Sequence, residues 1–571
     1  MRHAKWHIVL LGVFLLVFFY GLNAQYPLLG HDYFYYWPRI LEGKWHFLRQ
    51  GLAPLRFAAH LCGGFPQYGN PQDLFYSLPQ FLSFFLDLWI ATQLSILITL
   101  VLGYLGWVKF GKDALRLNPA WAHVLALVCT ANGFLFVHIA VGHLSYFALP
   151  LMSWLLWVLF HRERETTWQL AGRCVIAAAV AGTFLYSGTY IAPFIVLPLI
   201  LFLLPFDLFL APEGLRPRTV TLLRRFVVFG AAILAIGASK LVAVYSVMRV
   251  LPRTATLYEY IADQNMFVFA AKSLLIFPQL PHFFTLDPIN RIHEESMFTS
   301  PTALLGIIAL IVVTLRYRAL HRWKKGLLLG WGLVITLLLT ALAHGTGILA
   351  DSLHMLPLFS SIRVSERFLV ILSLLFSIGG IWGLSLFFTD RTRAPLIASG
   401  LTIAAFIAAY APLIHSLEYT LPYDEIRAGI TATPDPFKQS ITRVDDLRGI
   451  KVSDFHYFFE GSTGSRCYEP LQSSAFAPLK DGPVNLAWDG ALNMYNPSCI
   501  PYGNENGCAP GDRIRMDDLS NLQEFINGRK TTWKISTAQK VADGVSILAL
   551  LGMAIIGSIS LLQSLRKRIY V

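Results

Sequence analysis

The sequence predicts an α-helical polytopic membrane protein of about twelve spans, with a small extracytoplasmic α/β or β domain near the C-terminus. Three observations carry the membrane assignment. Of the 571 residues, 55% are hydrophobic and 14% charged, with mean hydropathy +0.54, whereas soluble chains carry about a quarter charged residues. Apolar stretches approaching the roughly 18–20 residues needed to cross a bilayer recur along the chain. Lys and Arg gather in every second connection between them.

The stretches are Ile8–Leu22, Ile90–Val108, Val175–Ser187, Ile191–Leu210, Phe226–Met248, Leu304–Leu315, Leu327–Leu342, Phe368–Phe388, Ile397–Ile414 and Val545–Leu562. Trp121–Phe160 is about twice a single span, and its polar interruption at His138–His143 reads as a tight outer turn between two helices. The total is about twelve spans. No small-residue cleavage site precedes Gln25, so the first stretch reads as a retained helix rather than a signal peptide.

The basic connections set the orientation. They hold Arg2 and Lys5; Lys109, Lys112 and Arg116; Arg162, Arg164 and Arg173; Arg216, Arg218, Arg224 and Arg225; Arg316–Lys325; Arg391 and Arg393; and Arg566, Lys567 and Arg568. By the positive-inside rule both termini are expected to be cytoplasmic. The formal charge of +12 then reflects topology and anionic membrane lipid, and no nucleic-acid partner is expected.

The expected domains are 1–414, a transmembrane region with outer loops at 23–86 and 249–300; 415–539, an extracytoplasmic soluble domain; and 540–571, a final span with a basic tail. Ile450–Phe455 and Val484–Trp488 alternate as strands do. Cys62, Cys467, Cys499 and Cys508 face outward, while Cys129 and Cys174 lie within spans as inert packing residues. Cys499 and Cys508 bracket a turn-rich segment, which suits a disulfide in an oxidising compartment; Cys467 is either free or paired with Cys62.

Ionisable residues near helix ends are the informative ones in a membrane protein, because each costs free energy to place there. Gly30-His31-Asp32 puts a carboxylate at the outer interface, where a lipid headgroup lies. The aromatic run Tyr33–Trp37 after it reads as a helix lying in the interface, and the plainer reading is an aromatic belt beside a solvated aspartate. Tyr68–Asp73 reads as a rigid turn rather than an anchor. His138 and His143 share an outer turn with the same outlook as Asp32. Lys240, inside an apolar stretch, needs an anion or a route to water, or else snorkels to the outer surface. His293, Glu294 and Glu295 close the middle loop. Arg363 and Arg367, four residues apart on the outer side, run against the charge bias, which something anionic there would explain.

These pieces resemble the integral membrane glycosyltransferases of the GT-C superfamily, and within it the bacterial YfhO-like membrane proteins. The residues that carry the resemblance are Gly30-His31-Asp32, Gly64-Phe65-Pro66 with Asn70-Pro71, Gly142-His143 through Leu149-Pro150, and Leu356-Pro357 through Arg363 and Arg367. The resemblance implies transfer of a sugar from a polyprenyl-phosphate donor to an extracytoplasmic acceptor: a glycolipid, a polysaccharide or a cell-envelope polymer. Tyr33 follows Asp32 where many relatives have a second acid. No cofactor is therefore implied with certainty, and a divalent metal stays open.

The chemistry matches the residue types. An acceptor hydroxyl attacking an anomeric carbon must lose its proton, so Asp32 is the expected general base with His31 its orienting neighbour. A leaving lipid phosphate needs fixed cations, for which Lys240, Arg363 and Arg367 are candidates. His138, His143, Glu294 and Glu295 are the expected substrate contacts. The alternatives are a transporter or flippase of a lipid-linked substrate, with Lys240 as its best evidence, and a non-catalytic scaffold.

Overall fold

The computed structural model describes residues 2–56, 58, 61, 67–163, 165–209, 211, 213–250, 265–275, 294, 296–316, 322–345, 347–355, 364–389, 393–413, 419–432 and 535–569. Most of the expected 415–539 domain, with Cys467, Cys499 and Cys508, lies outside these residues. So do Cys62, Gly64-Phe65-Pro66, His293, Glu295, Arg363 and most of the 249–300 loop.

Helices dominate the described residues. They are α1 (Arg2–Leu22), α2 (Tyr33–Gln50), α3 (Leu78–Leu82), α4 (Leu88–Asp113), α5 (Pro119–Thr130), α6 (Gly133–Val141), α7 (Met152–Phe160), α8 (Thr167–Tyr186), α9 (Ala192–Phe209) and α10 (Leu215–Val250). There follow α11 (Met266–Leu275), α12 (Pro301–Arg316), α13 (Arg322–His344), α14 (Ile348–His354), α15 (Leu369–Phe387), α16 (Ala394–Leu413), α17 (Tyr423–Ala432) and α18 (Thr537–Ile569). Nine stretches among the described residues are long and apolar enough to cross a membrane, and Trp6–Leu22, Leu144–Phe160 and Pro301–Arg316 are shorter apolar helices. The chain is a multi-pass membrane protein.

The expected turn at His138–His143 falls at Gly142, where α6 ends in a left-handed residue with φ 107°. A second break, at Ala131-Asn132, is not anticipated from the apolar run. Asn132 accepts the Phe134 N–H at 3.0 Å, capping α6, and donates its amide to Ser373 Oγ at 2.9 Å. One side chain therefore starts a helix and ties it to α15.

A two-stranded antiparallel ladder, β1 (Leu28–Gly30) with β2 (Tyr419–Pro422), pins the residues just before Asp32. Beyond it the Tyr423 hydroxyl donates to Asp87 and accepts the Trp89 N–H at 3.0 Å. Tyr33, Tyr35, Tyr36 and Trp37 on α2 are buried. The sequence is right that these residues form a helix, but protein rather than lipid covers its aromatic face. Tyr33 donates to Ile139 O at 2.7 Å and Trp37 donates to Thr92 Oγ1 at 3.2 Å, so their polar tips are satisfied inside.

The end of the bundle that carries the basic connections is clamped by charge. Asp207 accepts from Arg218 Nε at 2.6 Å and Arg162 Nη2 at 3.1 Å. Glu165 accepts from Arg173 at 2.5 Å, Arg224 at 2.9 Å and Arg225 at 3.1 Å. These pairs join the start of α10 to the ends of α7, α8 and α9.

Helices α12 and α15 pack backbone against backbone. A Cβ on Gly380 would lie 2.1 Å from the Ala303 carbonyl oxygen, and one on Gly306 would lie 2.1 Å from that of Gly380. Small residues permit this approach where no hydrophobic force joins helices in lipid. Gly380→Val is expected to cost about 1–3 kcal/mol by overpacking. It should lower the thermal midpoint in detergent, whereas the same change at Gly400, which has open space around it, should not.

Candidate functional site

The site begins with a contact between two turns. A Cβ on Gly30 would lie 2.2 Å from Ala140 O, and one on Gly142 would lie 2.3 Å from Tyr33 N, so glycine at both positions lets the turns touch. The Asp32 N–H donates to Val141 O at 2.8 Å across the contact. Asp32 stands at the N-cap of α2 without using its side chain as a cap. Its carboxylate instead pairs with His143 Nε2, and His31 Nε2 lies 3.4 Å from Oδ1. Asp32 is 6% exposed, which replaces the solvated aspartate of the plainer sequence reading. The positive end of α2 adds to the field that favours the charged carboxylate.

Glu294 is the second carboxylate. It accepts from Arg367 Nε at 3.1 Å and Nη2 at 2.7 Å, a bidentate pair, and from His138 Nε2 at 3.3 Å. Arg367 sits in the 3-10 turn that opens α15 and also donates from Nη1 to the Tyr190 hydroxyl at 3.0 Å. His138 Nδ1 faces Phe134 O at 2.8 Å, which fixes the ring within α6.

Tyr146 joins the two pairs. Its ring stacks on His143 with centroids 5.7 Å apart, lies 4.7 Å from the His138 ring, and has the Arg367 guanidinium 5.5 Å from its centroid. His138 and His143 meet edge-on at 5.2 Å. The structure thus brings together His31, Asp32, His138, His143, Glu294 and Arg367. From the sequence these residues share only a side of the membrane.

Burial alone would lower the pKa of His143, but the Asp32 carboxylate beside it prevails and raises it above the ordinary 6.5. Burial would raise the pKa of Glu294, yet Arg367 and His138 hold it well below the ordinary 4.5. Each of these two carboxylates thus faces a cationic or proton-bearing partner. Among the described residues, no group of three His, Cys, Asp or Glu side chains is arranged to hold a metal ion.

Lys240 lies elsewhere. It is 1% exposed, and its ammonium donates to Tyr68 O at 2.8 Å, Asn70 O at 3.0 Å and Asp73 Oδ2 at 3.3 Å. Those three acceptors use its three N–H donors. The anion that the sequence reading requires is Asp73, so the lysine neither snorkels nor has a donor left for a phosphate in this geometry. The Tyr68–Asp73 turn, expected to be no anchor, is one. Asp73 also accepts from Gln67 Nε2 at 2.7 Å and from the Phe75 N–H at 3.1 Å. Asn70 donates to the Tyr35 hydroxyl at 3.0 Å, linking this turn to α2. The final helix docks beside it: Asp543 accepts from Arg56 Nη2 at 2.5 Å and from Ser239 Oγ at 2.5 Å.

Sequence reasoning misses Asp73, Tyr146 and Tyr190. Tyr146 is legible afterwards, three residues beyond His143 in the same turn. Tyr190 and Asp73 carry no local signal, because their partners lie 177 and 167 residues away.

Comparisons with known proteins find no matching family model and no matching curated protein. Among solved structures, the arabinofuranosyltransferase AftD from Mycobacteria is similar, with 13% identity over 82% of this chain and 31% of that one, at a TM-score of 0.44. A mutant form of AftD is similar at 13% identity, 86% and 33% coverage, and a TM-score of 0.42. The chain thus spans about a third of the length of the protein it matches.

Two outcomes follow from the electrostatics. The raised His143 pKa means that the Asp32–His143 pair stabilises fully below pH 6.5, and its contribution fades as pH rises through the raised value. Thermal midpoints of the wild type and Asp32→Asn should therefore differ most below pH 6.5 and converge in alkali. Lys240→Met leaves the Asp73 carboxylate buried without its cation. It should cost roughly 3–5 kcal/mol of stability, read by thermal unfolding in detergent.

Proposed function

We propose that this protein is a membrane glycosyltransferase of the GT-C type. It would move a sugar from a polyprenyl-phosphate carrier to an extracytoplasmic acceptor: a glycolipid, a polysaccharide or a cell-envelope polymer. The observation that supports this best is the Asp32 carboxylate itself. It is buried at the start of α2 and braced by His143, and the turn holding it also holds the His138–Glu294–Arg367 group.

Asp32 is the proposed general base. It takes the proton of the acceptor hydroxyl as that oxygen bonds to the anomeric carbon and the carbon–oxygen bond to the lipid phosphate breaks. His31 and His143 hold the carboxylate in place, and His143 also keeps its charge balanced before the acceptor arrives. The transition state is of the oxocarbenium kind, which nearby carboxylate charge favours. Charge growing on the departing phosphate needs donors. Arg367 has N–H groups beyond those used by Glu294 and Tyr190, and Arg363 is the second proposed ligand. His138, Glu294 and Glu295 are the proposed contacts to substrate. Lys240 takes no part in this scheme, which also removes the residue that most suited a transporter.

Two measurements test the proposal. Purified protein incubated with a panel of polyprenyl-phosphate sugars should release the lipid phosphate; movement of the intact lipid-linked sugar across vesicles without release would favour the flippase reading instead. Asp32→Asn keeps the shape of the side chain but removes the basic oxygen. Turnover should fall by about 10²- to 10⁴-fold, with donor affinity close to that of the wild type. Transfer at the wild-type rate would overturn the role of Asp32.

A further inference from the structure

Tyr146 is fully buried, and no described residue accepts from or donates to its hydroxyl. Of the other buried tyrosines, Tyr33 donates to Ile139 O at 2.7 Å and Tyr36 to Ser145 Oγ at 2.9 Å, whereas the hydroxyls of Tyr410 and Tyr419, like that of Tyr146, meet no described partner. A buried polar group without a partner is costly, and of these three phenols Tyr146 is the one packed against the ionisable cluster of His138, His143 and Arg367.

The Tyr146 ring is held on several sides, by His138 and His143, by Phe134 edge-on at 5.2 Å and by the Arg367 guanidinium. The groups acting electrostatically on its hydroxyl are Arg367, Tyr190, Glu294 and Tyr36. The phenol is thus positioned by packing alone, and its polar end shares a neighbourhood with hydroxyl, guanidinium and carboxylate groups. The strong charges there are already spent on each other. Arg367 is bidentate on Glu294, and Asp32 is paired with His143. A neutral hydroxyl beside carboxylates that already have their partners suits a hydroxyl-bearing ligand at the phenol, and leaves the unused Arg367 N–H groups to the phosphate.

We propose that the Tyr146 hydroxyl hydrogen-bonds a hydroxyl of the transferred sugar, making Tyr146 a specificity-determining residue of the glycosyl subsite. This rests on the glycosyltransferase reading above and names a contact within it. A phenol offers one donor and accepts in return, so it recognises a hydroxyl at one position of the ring. A sugar lacking that hydroxyl leaves the phenol buried without a partner among the described residues.

Tyr146→Phe isolates the contact, since it removes one oxygen and keeps the ring packing. The thermal midpoint should be unchanged or higher, because the removed hydroxyl meets no partner among the described residues. Affinity for the polyprenyl-phosphate sugar that the wild type uses should fall by about 3- to 10-fold, the usual worth of one hydrogen bond. Affinity for the polyprenyl monophosphate without sugar should not change. Equal loss for both lipids would place the phenol at the phosphate and overturn the inference. So would a lowered thermal midpoint with unchanged affinity, which marks a structural hydroxyl, or no change in either. If the wild type binds neither lipid, the function reading falls and this contact falls with it; wild-type binding with an indifferent Tyr146→Phe overturns the contact alone.

Discussion

Two backbones meet where Gly30 faces Ala140 and Gly142 faces Tyr33, and the polar end of the bundle depends on that meeting. A side chain at either glycine would push the start of α2 away from the end of α6. The Asp32 N–H would then lose Val141 O, and the carboxylate would lose His143. With those contacts in place, His143 orients Tyr146, Tyr146 packs on His138, and His138 reaches Glu294 and Arg367. Each further contact is made by a residue whose own helix is fixed separately: Asn132 caps α6 and reaches α15, and Gly306 and Gly380 bring α12 against α15.

Low dielectric explains why charges in this bundle come in sets. Glu165 collects three arginines and Asp207 two, while Asp73 holds Lys240 and Glu294 holds Arg367. Leaving any one partner alone would strand an ion away from water, so each set is a rigid joint between helices. The two ends of the bundle use these joints differently. At the basic end arginines outnumber their acids and the cluster fastens helices. At the opposite end the acids pair with histidines and Arg367 around the buried ring of Tyr146.

Much of this was legible in the sequence. Apolar length is a property of contiguous residues, so the helices and the turn at Gly142-His143 could be read directly. His31, His138, His143, Glu294 and Arg367 stood out because an ionisable residue near a helix end is rare in a membrane protein. Their mutual distances could not be read. The sequence separations are 106 residues for Tyr33 with Ile139 and 156 for His138 with Glu294, so only tertiary packing reveals the pairings. Lys240 shows the limit most clearly. Its need for an anion was plain, but Asp73 sits in a turn rich in Gly, Asn and Pro that reads as mere punctuation. The aromatic run of α2 failed for a related reason, since residues suited to a lipid interface are equally suited to a protein core.

The Lys240–Asp73 pair also bears on how the chain enters a membrane. Synthesis runs from the N-terminus, so Asp73 is made well before α10. A helix with a lysine in its apolar part inserts at a penalty of about 2.5–3.5 kcal/mol, and the long apolar run of α10 must outweigh it. Asp73 is already in the chain when Lys240 emerges, so the counter-ion precedes the lysine that needs it. Asp543 repeats the arrangement, for Arg56 and Ser239 both precede it in the chain. Each later charged span thus finds its partner already delivered, which gives the order of residues along the chain a meaning in biogenesis as well as in the finished fold.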